Sequence, residues 1–154
     1  MFDAFKDFLR TLSEGDRRPD GDDPHVAAAA LLFHVSEADG TASDAEVGRL
    51  RDLLVREYGL DRQEAERVRM AGREADADAV DLFQFTQVLM RHWSAEERVR
   101  FIELLWELVF VDGTVHELED NVIWRVSELL GVSGRDRMLA KREAQERASE
   151  SERS

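Results

Sequence analysis

The sequence contains no cysteine, and this absence removes several classes of protein. Disulfide-stabilised folds, thiolate metal centres and cysteine nucleophiles all need a residue that the chain does not have. Proline is almost as scarce, because the only two, Pro19 and Pro24, lie near the start. Since proline interrupts helices, the rest of the chain is free to form long ones.

Long apolar runs are also missing. The longest, Val26 to Val35, is too short to cross a bilayer, so we expect no direct membrane insertion. His34 lies inside this run, where a buried core histidine is the more common case than a ligand. No cationic segment followed by an apolar stretch and a cleavage site opens the chain, so we expect a cytoplasmic protein.

Basic residues are fewer than acidic ones. The chain has 21 basic and 34 acidic residues, and its formal net charge is −13. Such a surface repels phosphate backbones and anionic membranes, which makes nucleic acid a poor partner. Cations and basic proteins suit it better. The alternative is that the acidity serves only solubility.

Signals for helices dominate what the sequence does contain. Apolar residues recur at helical spacing, several helix starts carry a capping box, and no apolar/polar alternation indicates a sheet. The first helix has phenylalanines at 2, 5 and 8, which suit core packing or, alternatively, contact with a membrane surface. Trp106 and Trp124 both fall at core spacing. The eight predicted helices cover about 2–13, 25–38, 44–58, 62–71, 82–92, 95–111, 117–130 and 134–148.

The second half of the chain repeats the first. The pattern Leu31-Leu32-Phe33…Asp39-Gly40-Thr41…Glu46 aligns without gaps on Leu104-Leu105-Trp106…Asp112-Gly113-Thr114…Glu119. This predicts an all-α fold of two four-helix repeats, 1–75 and 80–148, which are related by a pseudo-two-fold axis and share one core. One domain then covers 1–148, with an acidic linker at 14–24 and a disordered tail at 149–154.

Each repeat places an Asp-Gly turn six residues before a glutamate, the spacing found at the end of an EF-hand loop. The loop start does not match, because three of the four residues at positions one and three are apolar. A different cation site remains, formed by Asp39, Glu46, Asp112 and Glu119. Four carboxylates suit Ca²⁺ or Mg²⁺, and His116 would shift the preference toward Zn²⁺ or Mn²⁺.

A structural reading of the same carboxylates stays open. Glu46 has a capping-box partner in Ser43, and the two aspartates can bond free N–H groups of the turns. His116 replaces the serine in the second copy, which leaves Glu119 with a weaker capping role. The sequence lacks a glycine-rich phosphate loop, a Gly-x-Ser-x-Gly motif and paired histidines at metalloprotease spacing. We therefore do not expect an enzyme.

The segments Leu31–Leu60 and Phe101–Val132 resemble the TerB-like family, named for tellurite resistance protein B. The repeated Asp-Gly and Glu signature of that family is similar to two segments of this chain, LLFHVSEADGTASDAEVGRLRDLL and ELLWELVFVDGTVHELEDNVIWRVSELLGV. The resemblance covers roughly 2–148. The resemblance implies a bacterial all-α protein of paired repeats, linked to tellurite and other stress resistance near the inner face of the membrane. It also implies acidic positions discussed as a metal site, and these fall here on Asp39, Glu46, Asp112 and Glu119.

Together these observations predict a non-enzymatic stress and tellurite-resistance module. It would bind a divalent cation, Ca²⁺, Mg²⁺, Mn²⁺ or Zn²⁺, through the duplicated carboxylates and engage a protein partner. The alternative is a purely structural or scaffolding domain whose acidic residues only cap helices.

Overall fold

Helices make up the whole regular structure of the described residues. The computed structural model describes 23–38, 44–110 and 117–153, and no strand occurs within these three ranges. The predicted helix at 2–13 and most of the linker at 14–24 lie outside them. The all-α prediction is confirmed for the described part, whereas the two-repeat organisation and the domain limits stay predictions. The helices are α1 (Pro24–Ser36), α2 (Asp44–Tyr58), α3 (Arg62–Asp78), α4 (Phe83–His92), α5 (Ala95–Val109), α6 (Glu117–Leu129) and α7 (Gly134–Arg153).

The most deeply buried helix is α1. Asp23 fixes its start by accepting a hydrogen bond from the backbone N–H of His25 at 2.8 Å, and Pro24 suits the first turn. Every residue from Val26 to Leu32 is fully buried, and α1 contacts α2, α3, α4, α5 and α6. A helix that is apolar all round can be stable only when other elements surround it, as they do here.

The predicted helix starts at two places are confirmed in atomic detail. Asp61 accepts a hydrogen bond from the Glu64 N–H at 2.8 Å, and the Glu64 carboxylate accepts one from the Asp61 N–H at 3.2 Å. Ser94 and Glu97 exchange the same pair of bonds at the start of α5. Each box satisfies donors that a helix start would otherwise leave without partners.

The end of α3 differs from the prediction. The predicted helix at 62–71 ends just before Gly72, whereas the observed helix continues to Asp78. A Cβ at Gly72 would lie 2.6 Å from the Ala29 Cβ and 2.8 Å from the Ala30 backbone nitrogen. The glycine therefore serves a close approach of α3 to α1 and does not end the helix.

Two further predictions are wrong. Trp124 was expected in the core, but it is 49% exposed, whereas Trp106 is fully buried. The reason is the register of α6, which buries Ile123 and Val126 and turns the intervening positions outward. The last helix was expected to end at about Ala148, but α7 continues through Arg153.

A network of arginines and glutamates ties α7 to the rest of the molecule. Its members are Arg56 and Glu57 of α2, Arg100, Glu103 and Glu107 of α5, and Arg147 of α7. The Glu107 carboxylate accepts hydrogen bonds from Arg56 at 3.0 Å and from Arg147 at 2.7 Å. Arg100 donates two bonds to Glu57, each of 2.9 Å, which lower the pKa of that carboxyl group.

None of the described helices is both long enough and apolar enough to cross a membrane.

The close approach at Gly72 predicts an unusual response to alanine. Alanine normally stabilises a helix interior by about 1 kcal/mol relative to glycine. At Gly72 the added methyl group would overlap backbone atoms of α1, so we expect Gly72→Ala to lower the free energy of unfolding by about 1–3 kcal/mol. Urea unfolding would measure the change.

Gly48, inside α2, is the matched control, because no atom lies within 4 Å of the Cβ position there. We expect Gly48→Ala to raise stability by about 0.5–1 kcal/mol. Equal gains for both variants would show that α1 and α3 are farther apart than described.

Loss of one carboxylate from the network should be costly. The Glu107 side chain is only 6% exposed and forms ion pairs with three arginines, Arg56, Arg100 and Arg147. We expect Glu107→Gln to lower the free energy of unfolding by about 1–3 kcal/mol, because hydrogen bonds to a charged group are lost in a largely buried position. Glu66→Gln weakens a pair with Arg69 whose carboxylate is 43% exposed, so it should change the free energy of unfolding by less than about 1 kcal/mol. A similar effect of both substitutions would contradict a special role for the network.

Candidate functional site

Four glutamates occupy the third position of a helix, and they fall into two groups. Glu64 of α3 and Glu97 of α5 are exposed, and each closes a capping box. Glu46 of α2 and Glu119 of α6 are only 3% and 2% exposed. Capping a helix therefore does not by itself require burial in this protein. The two buried members are the two glutamates that the repeat singled out.

A carboxylate removed from water needs strong compensation, from hydrogen bonds, a cationic side chain or a metal ion. Glu46 and Glu119 each have an interaction partner. Both glutamates lie in the first turn of a helix, where the helix dipole favours negative charge. The arrangement is consistent with capping by a buried carboxylate and equally with a cation held at each helix start.

The other two predicted ligands, Asp39 and Asp112, lie outside the described residues, and so does His116. Among the residues that are described, no group of three or more histidine, aspartate or glutamate side chains could hold a metal ion. The described residues alone thus supply one carboxylate from each predicted pair. The four-carboxylate cation site stays a prediction.

A second polar site involves a histidine that the sequence placed in the core. The His34 side chain is 41% exposed, and its Nδ1 lies 2.8 Å from the Asp76 Oδ1. The hydrogen bond to Asp76 has the largest effect on the pKa of His34 and raises it, whereas partial burial acts in the opposite direction. The charges of Asp76 and Glu37 add to the increase. The core prediction for His34 is therefore wrong.

The packing of α3 on α1 explains why these two residues meet. Gly72 lies against Ala30, and one helical turn further along both helices Asp76 reaches His34. Sequence reasoning missed Asp76 because it lies beyond the predicted end of the helix at 71. The sequence did contain one indication: Asp76 follows Gly72 by four residues, a spacing that places both residues on the same face of a helix.

The His34–Asp76 pair lies at the junction of two clefts. One, of about 360 Å³, is lined also by Val80, Phe83 and Arg125. The other, of about 440 Å³, is lined also by Glu37, Leu118 and Asn121. Residues of α6 thus form one wall of both clefts, and the pair is accessible from each.

A family model described as tellurite resistance protein TerB matches residues 25–142. The chain belongs to this family. The match begins in α1 and ends within α7, so it includes all four predicted carboxylates and the His34–Asp76 pair. Comparison with curated proteins and with solved structures gives no significant match. Membership of the TerB family confirms the resemblance seen in the sequence and agrees with the all-helical structure.

The ion pair at His34 makes a prediction for this TerB-family chain that nuclear magnetic resonance can test. The pKa of His34 should lie above its ordinary value of 6.5, and Asp76→Asn should lower it. A raised pKa in the folded state stabilises the protein below about pH 6.5, and that contribution disappears as pH rises through the folded pKa. Asp76→Asn should therefore cost more stability at pH 6 than at pH 8.5.

Asp78→Asn is the control, since Asp78 is an exposed carboxylate on the same helix. It should leave the titration of His34 nearly unchanged. A His34 pKa that responds equally to both substitutions would show that general surface charge, and not the hydrogen bond, sets its value.

Proposed function

We propose that this TerB-family chain is a non-enzymatic module associated with resistance to tellurite and related stress, which acts in the bacterial cytoplasm. In this proposal it binds a divalent cation through Asp39, Glu46, Asp112 and Glu119 and engages a protein partner near the inner face of the membrane. Family membership supports the association with tellurite resistance. The burial of Glu46 and Glu119 supports the cation.

The contrast among the four helix-start glutamates carries the cation proposal. Glu64 and Glu97 complete their capping boxes in water, so burial is not needed for that task. Glu46 and Glu119 are buried at corresponding places of the repeat, seven residues after an aspartate in each case. A cation between each aspartate and glutamate would neutralise both carboxylates. Oxygen ligands alone favour Ca²⁺ or Mg²⁺, and His116 would add a preference for Zn²⁺ or Mn²⁺.

Direct binding of tellurite is not part of the proposal. The chain has no thiol that could reduce or ligate a tellurium oxyanion, and its net charge of −13 opposes the approach of anions. A basic protein surface is a better match for this charge, which supports the proposed protein partner.

The second candidate is a scaffolding domain in which the acidic residues only cap helices. Two observations favour it: Glu46 and Glu119 both stand at the third helical position, and both already have interaction partners. In this case Asp39→Ala and Asp112→Ala should each lower stability by about 1 kcal/mol, with no change in any response to metals.

Thermal unfolding in the presence of Ca²⁺, Mg²⁺, Mn²⁺ or Zn²⁺ separates the two candidates. A cation that binds only the folded chain at 100 times its Kd stabilises it by about 2.7 kcal/mol, so the Tm should rise. Glu46→Gln and Glu119→Gln should each reduce that rise, whereas Glu64→Gln and Glu97→Gln should preserve it. An unchanged Tm with all four ions at millimolar concentration would rule out the cation and leave the scaffolding function.

A further inference from the structure

The 360 Å³ cleft beside His34 has the construction of a small-molecule site. Its volume falls within the range of typical ligand pockets. Val80 and Phe83 line it and remain 97% and 54% exposed. Apolar side chains that remain open to solvent around a cleft are favourable contacts for the apolar body of a ligand.

Two basic side chains, His34 and Arg125, face this cleft with hydrogen-bonding capacity to spare. The His34 ring uses Nδ1 for Asp76, which leaves Nε2 for a ligand, and the protonated ring carries a donor there. Arg125 of α6 forms no ion pair or hydrogen bond with any other residue in the described part of the chain. Its planar guanidinium can donate two parallel bonds to one carboxylate.

The acidic groups of the cleft are already engaged in other interactions. Asp76 bonds His34 at 2.8 Å. Asp81 Oδ1 accepts a hydrogen bond from the Phe83 N–H at 2.9 Å, at the start of α4. Arg125 and His34 Nε2 therefore offer hydrogen-bonding groups to a charged ligand.

We propose that this cleft binds a small organic acid, whose carboxylate accepts hydrogen bonds from Arg125 and from His34 Nε2–H while its apolar body covers Val80 and Phe83. This site is separate from the acidic turns and goes beyond the proposed function.

The charge of the molecule limits the ligand to a low negative charge. With a net charge of −13, and with Asp81 and Glu37 close to the cleft, a dianion would meet more repulsion than a single carboxylate. The groups that face His34 are Asp76 of α3, Glu37 after α1, Asp81 before α4 and Arg125 of α6. Binding should weaken above the pKa of His34, because the ring then loses its second donor.

A pair of probes with one apolar body and opposite charges tests the proposal. We expect 1-naphthoate, titrated into the full chain in the presence of a metal chelator, to shift the amide resonances of Val80, Phe83 and Arg125 in a saturable manner. The amine 1-naphthylmethylamine, titrated in the same way, should bind at least about tenfold more weakly, a difference of about 1.4 kcal/mol. The chelator makes the result independent of the proposed cation site.

Substitutions identify the binding groups. Arg125→Gln should weaken naphthoate binding about tenfold, since a charge-assisted bond is lost. Val80→Glu, at an almost fully exposed position, should weaken it without affecting folding. Arg67→Gln, which alters an exposed arginine on α3 far from the cleft, should have no effect.

Three results would overturn the proposal. They are equal or tighter binding of the amine, absence of saturable shifts with naphthoate in the low millimolar range, and unchanged naphthoate affinity in Arg125→Gln.

Discussion

The contact between α1 and α3 sets the geometry on which much of the described structure depends. Four consecutive alanines, 27 to 30, give α1 only short side chains at this contact. Gly72 has no Cβ, so α3 can approach α1 more closely than any other residue at that position would allow. Backbones that approach this closely gain dispersion contacts along both helices. The same contact fixes where the next turn of each helix must lie. His34 meets Asp76 because Ala30 meets Gly72.

Local signals predicted the helix starts well and one helix end poorly. The capping boxes at Asp61 and Ser94 depend on residues within one turn, so the sequence alone contains the necessary information. Gly72 was misread because a glycine is a turn signal locally, whereas here its missing side chain serves a partner helix distant in sequence. The prediction that Trp124 is buried was wrong for a related reason. Its apolar character predicts burial, but the register of α6 places its side chain outward.

For the candidate site, the repeat correctly directed attention to Glu46 and Glu119, yet it could not reveal that both are buried. Burial depends on how neighbouring helices cover the first turns of α2 and α6, which periodicity does not encode. Asp76 was beyond prediction for the same reason, since its partner lies 42 residues away in the chain. The pairing of distant residues depends on tertiary packing, which a single sequence shows only through patterns as clear as the internal repeat.

The arginine–glutamate network also determines how the molecule presents its charge. Its six members are three cations and three anions that lie together across α2, α5 and α7. Viewed from a distance, this region contributes almost no net charge, so the excess of −13 resides on the remaining surface. A cationic partner would therefore gain little long-range attraction from this patch, although the patch is dense in charged side chains.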